Sequence, residues 1–394
     1  MKRVLSNSVI LLVSNITGKI IFFLATLLII RNADYTEYGE FNYLFSIAAA
    51  LAVFLDLGID KIFIREISRD LPEKNNLFHL IVFKIGIYAL LAAIMFLWGP
   101  KKPVFFILLS AVFLKSVYNA CVCVIEARQK MAREAFLILT GNIAFLVLVL
   151  LKPGNIVSVS YAYLASAALQ VAGGLILAGP VAMRAGSFSK IIKYLKAGIP
   201  IGIIIICGGI EFRLDSIIIG SSIGMQASGY YGSVYTVMAA LMMVPNAFTA
   251  ALYPHISSGR DAGKLDENIA RSVIILTVAA IAVLIPGWLA AGRLLPILFG
   301  KTVPEQVPIL RLLLLSVVPI FFSASYIFYL YSRNLQSKAL FIVSLKLAMN
   351  AVLNIILIPK FGITAAAWVM LFTECIGAFA FRQIYIKNRK MNEG

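Results

Sequence analysis

An all-α, polytopic membrane protein is the fold class this sequence predicts, and three observations predict it. Apolar residues make up 61% of the chain and charged residues only 13%, with a mean hydropathy of +0.93, far from the balance of a soluble domain. The apolar residues gather into twelve stretches, each close to the roughly 20 residues that a helix needs to cross a hydrocarbon core. Basic residues gather in every second connection between those stretches, the asymmetry that orients membrane helices.

The expected spans cover residues 6–30, 40–63, 77–98, 103–125, 135–151, 159–180, 198–220, 228–252, 268–290, 306–330, 339–357 and 361–385. The first follows Lys2 and Arg3, passes Ser14, Asn15 and Thr17, carries Lys19 at mid-depth and ends at Arg31. It is too long for the apolar region of a signal peptide, so it reads as a true span. The second ends on Leu55, Asp56, Leu57 and Gly58; the fourth carries Lys115 with Asn119 one turn on. In the seventh, Glu211, Arg213 and Asp215 interrupt an isoleucine-rich run. At 100° per residue Glu211 and Asp215 share a face and Arg213 points away from both. Lys346, Asn350 and Asn354 form a polar stripe at i, i+4 and i+8 on the eleventh span, and Glu374 lies deep in the twelfth. A charge at mid-bilayer costs about 2.5 to 3.5 kcal/mol, so these groups should face protein or a hydrated cavity. Lys84 and Arg311 lie one or two turns from span ends, where reaching the interface is the plain reading and a functional role an equal one.

An even number of spans puts both termini on one side. With that side cytoplasmic, 22 basic residues fall in the inside segments and seven in the outside ones. This bias predicts a multi-pass membrane protein with both ends in the cytoplasm, and the cell's inner membrane is its expected location. It also accounts for most of the +17 net charge without a nucleic-acid partner. The four cysteines all fall within spans and show neither a disulfide framework nor metal-ligand spacing. The longest connections, about 181–197 and 254–267, leave no extramembrane domain to hold a soluble active site, which argues against an enzyme.

The chain also echoes itself. Gly39 with Tyr38 before it and Gly229 with Tyr230 after it are 190 residues apart, and the pairs Ile67-Ser68 and Ile256-Ser257 are 189 apart. Lys152-Pro-Gly154 resembles Lys360-Phe-Gly362 at a separation of 208. Offsets near half the chain predict two six-helix lobes, 1–185 and 186–394, in the same orientation around a central cavity.

The opening from Asn7 to Asn15, then Ile29-Ile30-Arg31, Tyr38-Gly39, Asp56-Leu57-Gly58, the central Arg213-Leu-Asp215 run to Gly220, Gly229-Tyr230, and Pro359-Lys-Phe-Gly362 resemble the polysaccharide-transporter (Wzx-like) family. That family belongs to the multidrug/oligosaccharidyl-lipid/polysaccharide (MOP) exporters. The resemblance implies a flippase that moves an undecaprenyl-diphosphate-linked oligosaccharide from the cytoplasmic to the outer leaflet by alternating access. Twelve spans, without the extra pair of the related lipid II flippases, argue against lipid II as the cargo. An anionic diphosphate needs a cationic lumen, and the in-span bases Lys19, Lys84, Lys115, Arg213, Arg311 and Lys346 outnumber the deep acids Asp56, Glu211, Asp215 and Glu374. Lys19, Lys115, Arg213, Lys346 and Arg31 are therefore the candidate substrate contacts. Glu211, Asp215, Glu374 and Asp56 are candidates for charge balance or for coupling to H+ or Na+, and Asn119, Asn350 and Asn354 for a polar lining. No cofactor is expected, the bilayer and a lipid-linked oligosaccharide are the expected partners, a polysaccharide polymerase or glycosyltransferase is a candidate one, and the expected state is a monomer.

Two other readings compete. An organic-cation antiporter of the multidrug-extrusion kind looks to an acid in the core of the first lobe, where this chain offers Lys19. A membrane polymerase or glycosyltransferase would place its acids, arginine or histidine in a large loop, and the loops are short. The plainer reading of each buried charge is a helix-tying ion pair.

Overall fold

Each apolar stretch folds as a helix because in hydrocarbon every backbone N–H and C=O must be satisfied within the protein, and a helix satisfies its own. The computed structural model describes residues 2–69, 76–152, 154–179, 187–245, 248, 265–333 and 335–393. The helices are α1 (Lys2–Asn32), α2 (Tyr35–Ala52), α3 (Ile59–Arg69), α4 (Leu77–Trp98), α5 (Pro103–Ala127), α6 (Met131–Leu151), α7 (Ile156–Ala178), α8 (Phe188–Ser222), α9 (Met225–Leu241), α10 (Leu265–Phe299), α11 (Gln306–Ser332), α12 (Gln336–Phe361) and α13 (Ile363–Glu393). Among the described residues ten helices are long and apolar enough to cross a membrane, or eleven if two bent segments of α8 form one crossing. The eighth expected span, 228–252, begins in α9 and continues into residues outside the described set.

Local chemistry sets the ends. The Asp34 side chain accepts from the Thr36 N–H to cap α2, and Asn155 accepts from Val157 and Ser158 to cap α7. Pro103 opens α5, where its missing N–H costs no helical bond. At the other end of α7 the Arg128 and Arg133 guanidiniums donate to the Ala178 and Leu177 carbonyls at 2.6 and 2.9 Å, satisfying acceptors that the helix itself leaves open.

One span departs from the sequence expectation. Residues 40–63 were expected as an unbroken crossing, yet α2 passes into a 3-10 turn at Val53–Leu55. Leu57 (φ 46°) and Gly58 (φ 76°) then take the left-handed conformation before α3 begins. Asp56 stabilises the restart, since its Oδ1 accepts from the Asp60 N–H at 3.3 Å. The remaining cause is a close backbone contact with α8. A Cβ on Gly58 would stand 2.4 Å from the Gly198 carbonyl oxygen, and one on Gly202 would stand 2.4 Å from that of Leu57. Only glycine permits this approach. Nearby, α8 itself bends by 63° between Phe188–Ile199 and Gly202–Glu211, at Pro200, which has no N–H to donate.

The chain forms two compact units, Met1–Arg213 and Leu214–Gly394. The lobe boundary expected at 185/186 falls in 180–186, outside the described residues. In the first unit α5 is central and packs on α2, α3, α4 and α7, while α6 packs on α1 and α7. In the second, α11 is central and packs on α9, α10 and α13, while α12 packs on α13. Counted by spans, the pairings 2–4, 3–4, 4–6 and 5–6 of the first unit recur as 8–10, 9–10, 10–12 and 11–12 in the second. In the first unit, the base of α3 and the start of α8 share a core of Ile59, Ile62, Phe63, Ile67, Ile191 and Tyr194.

This packing makes a paired prediction. Gly202→Ala should lower the melting temperature of the purified protein in detergent, corresponding to about 1 to 3 kcal/mol of overpacking. Gly208→Ala, whose added Cβ would meet nothing within 4 Å, should be neutral or mildly stabilising, because glycine in a helix costs about 0.5 to 1 kcal/mol relative to alanine.

Candidate functional site

Polar side chains within the spans sort by the partner each has found. The first group is a closed ion pair. Lys84 of α4 is fully buried, with Nζ 3.0 Å from Asp60 Oδ1. It donates to Asp60 Oδ2 at 3.1 Å and to Ser116 Oγ at 2.9 Å, joining α4 to α3 and α5. The sequence expectation that Lys84 reaches the interface is thus corrected: its ammonium is held inside by a carboxylate 24 residues away. Asp60 was not singled out in the sequence, although Asp56 was; their i, i+4 spacing at the helix break was the available signal. Asp56 itself is half-buried and is occupied in stabilising the first turn of α3.

The second group holds a cation without a carboxylate. Lys115 of α5 donates to Gln170 Oε1 of α7, and its Nζ lies 6.0 and 5.7 Å from the ring centres of Tyr118 and Tyr163. Gln170 is buried and is itself fixed by donating to the Leu137 carbonyl at 3.1 Å. Among the described residues no carboxylate pairs with Lys115. Tyr163 belongs to an aromatic cluster with Phe22, Phe45 and Phe145 at centroid distances of 5.5 to 6.4 Å. On Phe45 lies Arg213, its guanidinium carbon 4.9 Å from the ring centre. One aromatic cluster of the first unit therefore connects two of the expected cations. Gln170 was missed in the sequence, though a glutamine amid apolar residues of a span was a readable sign.

In the second unit, Asp215 of α8 is buried. Its Oδ2 accepts from the Tyr231 hydroxyl at 2.6 Å and its Oδ1 from Asn354 Nδ2 at 2.7 Å. Asn354 Nδ2 also donates to Asn350 Oδ1 at 3.0 Å. Asn354 Oδ1 is buried with no hydrogen-bond partner among the described residues. A carboxylate and amide oxygens thus cluster with only neutral donors. On the same helix as Asn350, one turn earlier, Lys346 pairs with Glu374 of α13 at 2.7 Å. Gly377 makes room for that lysine, since a Cβ there would lie 3.0 Å from Lys346 Cδ.

The remaining expected residues stand apart from these groups. Lys19 is exposed on α1, next to Gly18, which is pressed against Ile138 and Asn142 of α6. Arg31 is exposed in the last turn of α1, Asn119 is exposed on α5, and Glu211 is half-buried on α8. Arg311, like Lys84 expected to reach an interface, lies over the Trp288 ring at 4.5 Å and donates to the Trp288 carbonyl at 3.2 Å.

Ten or eleven apolar crossings among the described residues, with ionisable groups enclosed between them, define a multi-span membrane protein, and its fold is the one that solved transporters of the MOP superfamily share. An inward-facing multidrug resistance MATE family transporter of that superfamily superposes with a TM-score of 0.73 at 15% identity, over 95% of this chain and 96% of the other. Lipid II flippase MurJ in its inward closed conformation gives 0.77 at 11% identity, over 96% and 87%. Within that fold the chain belongs to the polysaccharide biosynthesis protein family, which matches residues 4–260. It is 29% identical over 171 residues to the probable flippase AglR of Haloferax volcanii, covering 42% of this chain and 36% of AglR. It is 26% identical over 110 residues to a putative O-antigen transporter of Shigella flexneri, covering 28% and 26%. Each of these sequence matches spans less than half of the relative's length.

The buried ion pair gives its own test. Asp60→Ala should destabilise the protein by about 3 to 5 kcal/mol, because Lys84 would be left uncompensated in an apolar interior. Adding Lys84→Met to form the double variant should restore much of the loss, and thermal unfolding of the single and double variants in one detergent checks both.

Proposed function

We propose that this protein is a flippase for polyprenyl-diphosphate-linked oligosaccharide, a carrier rather than an enzyme. It would move its cargo by alternating access from the cytoplasmic to the outer leaflet of the inner membrane, with both termini cytoplasmic and undecaprenyl as the lipid. Family membership and the names of its relatives support this reading, and one geometric observation carries it to particular residues. Lys115 is enclosed among Gln170, Tyr118 and Tyr163 without a carboxylate, so an anion is the complement it lacks. Arg213, on the same aromatic cluster, extends the cationic character toward the centre of the chain. The rings between the two offer faces on which sugar C–H groups can pack. Lys346, closed on Glu374, meets an anion only when that pair opens.

The test is export in cells lacking their own flippase for the same oligosaccharide. Lys115→Ala should reduce surface polysaccharide by about ten-fold or more, the loss of a charged hydrogen-bonding group, while the protein reaches the membrane at wild-type abundance. Lys115→Arg should retain most export. Wild-type export by Lys115→Ala would overturn the assignment of this cation to the cargo.

The oxygen cluster around Asp215 supports a second part of the proposal, coupling to a cation. A carboxylate whose partners are Tyr231 and Asn354, beside the unpartnered Asn354 Oδ1, can accept a proton or a sodium ion as the carrier resets. Translocation by reconstituted protein should respond to an imposed pH or sodium gradient, and Asp215→Asn should abolish the response. Wild-type transport indifferent to both gradients would leave Asp215 as a helix-tying residue.

A further inference from the structure

We propose that the first segment of α8, Phe188–Ile199, is an interfacial helix that binds the anionic phospholipid headgroups of the leaflet beside it. At 100° per residue its side chains divide into three stripes about 120° apart. Ile191, Tyr194 and Gly198 are buried and face α3, where the Tyr194 and Phe63 rings lie 6.3 Å apart and Gly198 meets the backbone of Gly58. Phe188, Ile192 and Ile199 form an outward apolar stripe, exposed by 44%, 45% and 44%. Lys190, Lys193 and Lys196 form the third stripe, all exposed, and no acidic residue lies between 187 and 199.

The backbone sets this segment at the surface. It is 12 residues, or about 18 Å, long, and it is turned 63° from the following segment Gly202–Glu211. Membrane-crossing helices tilt on average by about 20° from the bilayer normal. A segment bent 63° from such a crossing lies about 43 to 83° from the normal, oblique to the membrane or along its plane. An apolar stripe beside a lysine stripe is the pattern of a helix embedded at the headgroup boundary. The apolar stripe also runs on through the exposed Ile203 into the crossing segment, so lipid that covers the one continues over the other.

Native mass spectrometry of the full-length protein tests this, with phosphatidylglycerol and phosphatidylcholine offered in equal amounts. The wild type should retain phosphatidylglycerol preferentially, and less so in high salt. Each lysine near an anionic surface contributes about five-fold. The triple variant Lys190→Gln, Lys193→Gln, Lys196→Gln should lose at least five-fold of the preference, and the corresponding arginine triple should keep it. Lys101→Gln, Lys102→Gln, Lys152→Gln removes the same charge at the far ends of α4 and α6 and should leave the preference intact. Equal retention of the two lipids by the wild type, or an equal loss in the two glutamine triples, overturns the proposal. A second measurement needs no lysine change: the fluorescence of Ile192→Trp in vesicles should be quenched by brominated lipid, and an unquenched signal would also overturn it.

Discussion

An ionised side chain enclosed in hydrocarbon must be answered by another group, and the kind of answer it receives organises this molecule. Lys84 is answered by Asp60 and Lys346 by Glu374, each across two helices. Such pairs neutralise one another and fix the register of the elements that carry them. Lys115 and Asp215 are answered by amides and hydroxyphenyl groups alone among the described residues. Neutral donors and acceptors orient a charge but leave its field in place. The same requirement therefore yields fastenings at two positions and charges held only by neutral groups at two others.

Backbone polar groups obey a similar constraint. Irregular backbone at membrane depth survives only where protein covers it. The break at Asp56, Leu57 and Gly58 meets that condition through Gly198 and Gly202, whose missing side chains let α8 lie directly on it. A carboxylate then completes the turn by accepting the Asp60 N–H, and Asp60 in turn holds Lys84. Backbone irregularity and buried ion pair are thus one construction: the helix restart aims Asp60 at α4, and the lysine holds the restart in place. The bend at Pro200 follows only two residues after Gly198 in the chain, so α8 changes direction beside the contact that the glycines permit.

The spans were legible because hydropathy and length act residue by residue, without knowledge of the fold. Placement of the lysines by depth was less reliable: it described Lys84 as reaching an interface, whereas the chain brings Asp60 and Ser116 to it from 24 residues before and 32 after. Partners at such separations leave no local pattern. The same holds for Asp215 and Asn354, 139 residues apart, although each was visible as a polar residue in an apolar run. The break in the second span was present in the sequence as Asp56-Leu57-Gly58, but hydropathy alone carries across it. Its cause lies in glycines about 140 residues later, which a window on the chain never sees together.

Asp60 and Asp215 make the distinction sharpest. Both are buried aspartates, exposed by 6% and 5%, but their carboxylates accept from different kinds of donor. At Asp60 the donor is the Lys84 ammonium, which pairs with no other carboxylate among the described residues, so the two charges of that pair cancel. At Asp215 the donors are a tyrosine hydroxyl and an asparagine amide, and a further amide oxygen lies beside them without a donor, so a negative charge there is uncompensated. In the first unit Lys115, of the opposite sign, is held by an amide and two aromatic rings and by no carboxylate among the described residues. The proposed diphosphate cargo and coupling cation would complement Lys115 and Asp215, and neither site is a property of composition: both arise from which neutral side chains the packing of each unit delivers to a charge.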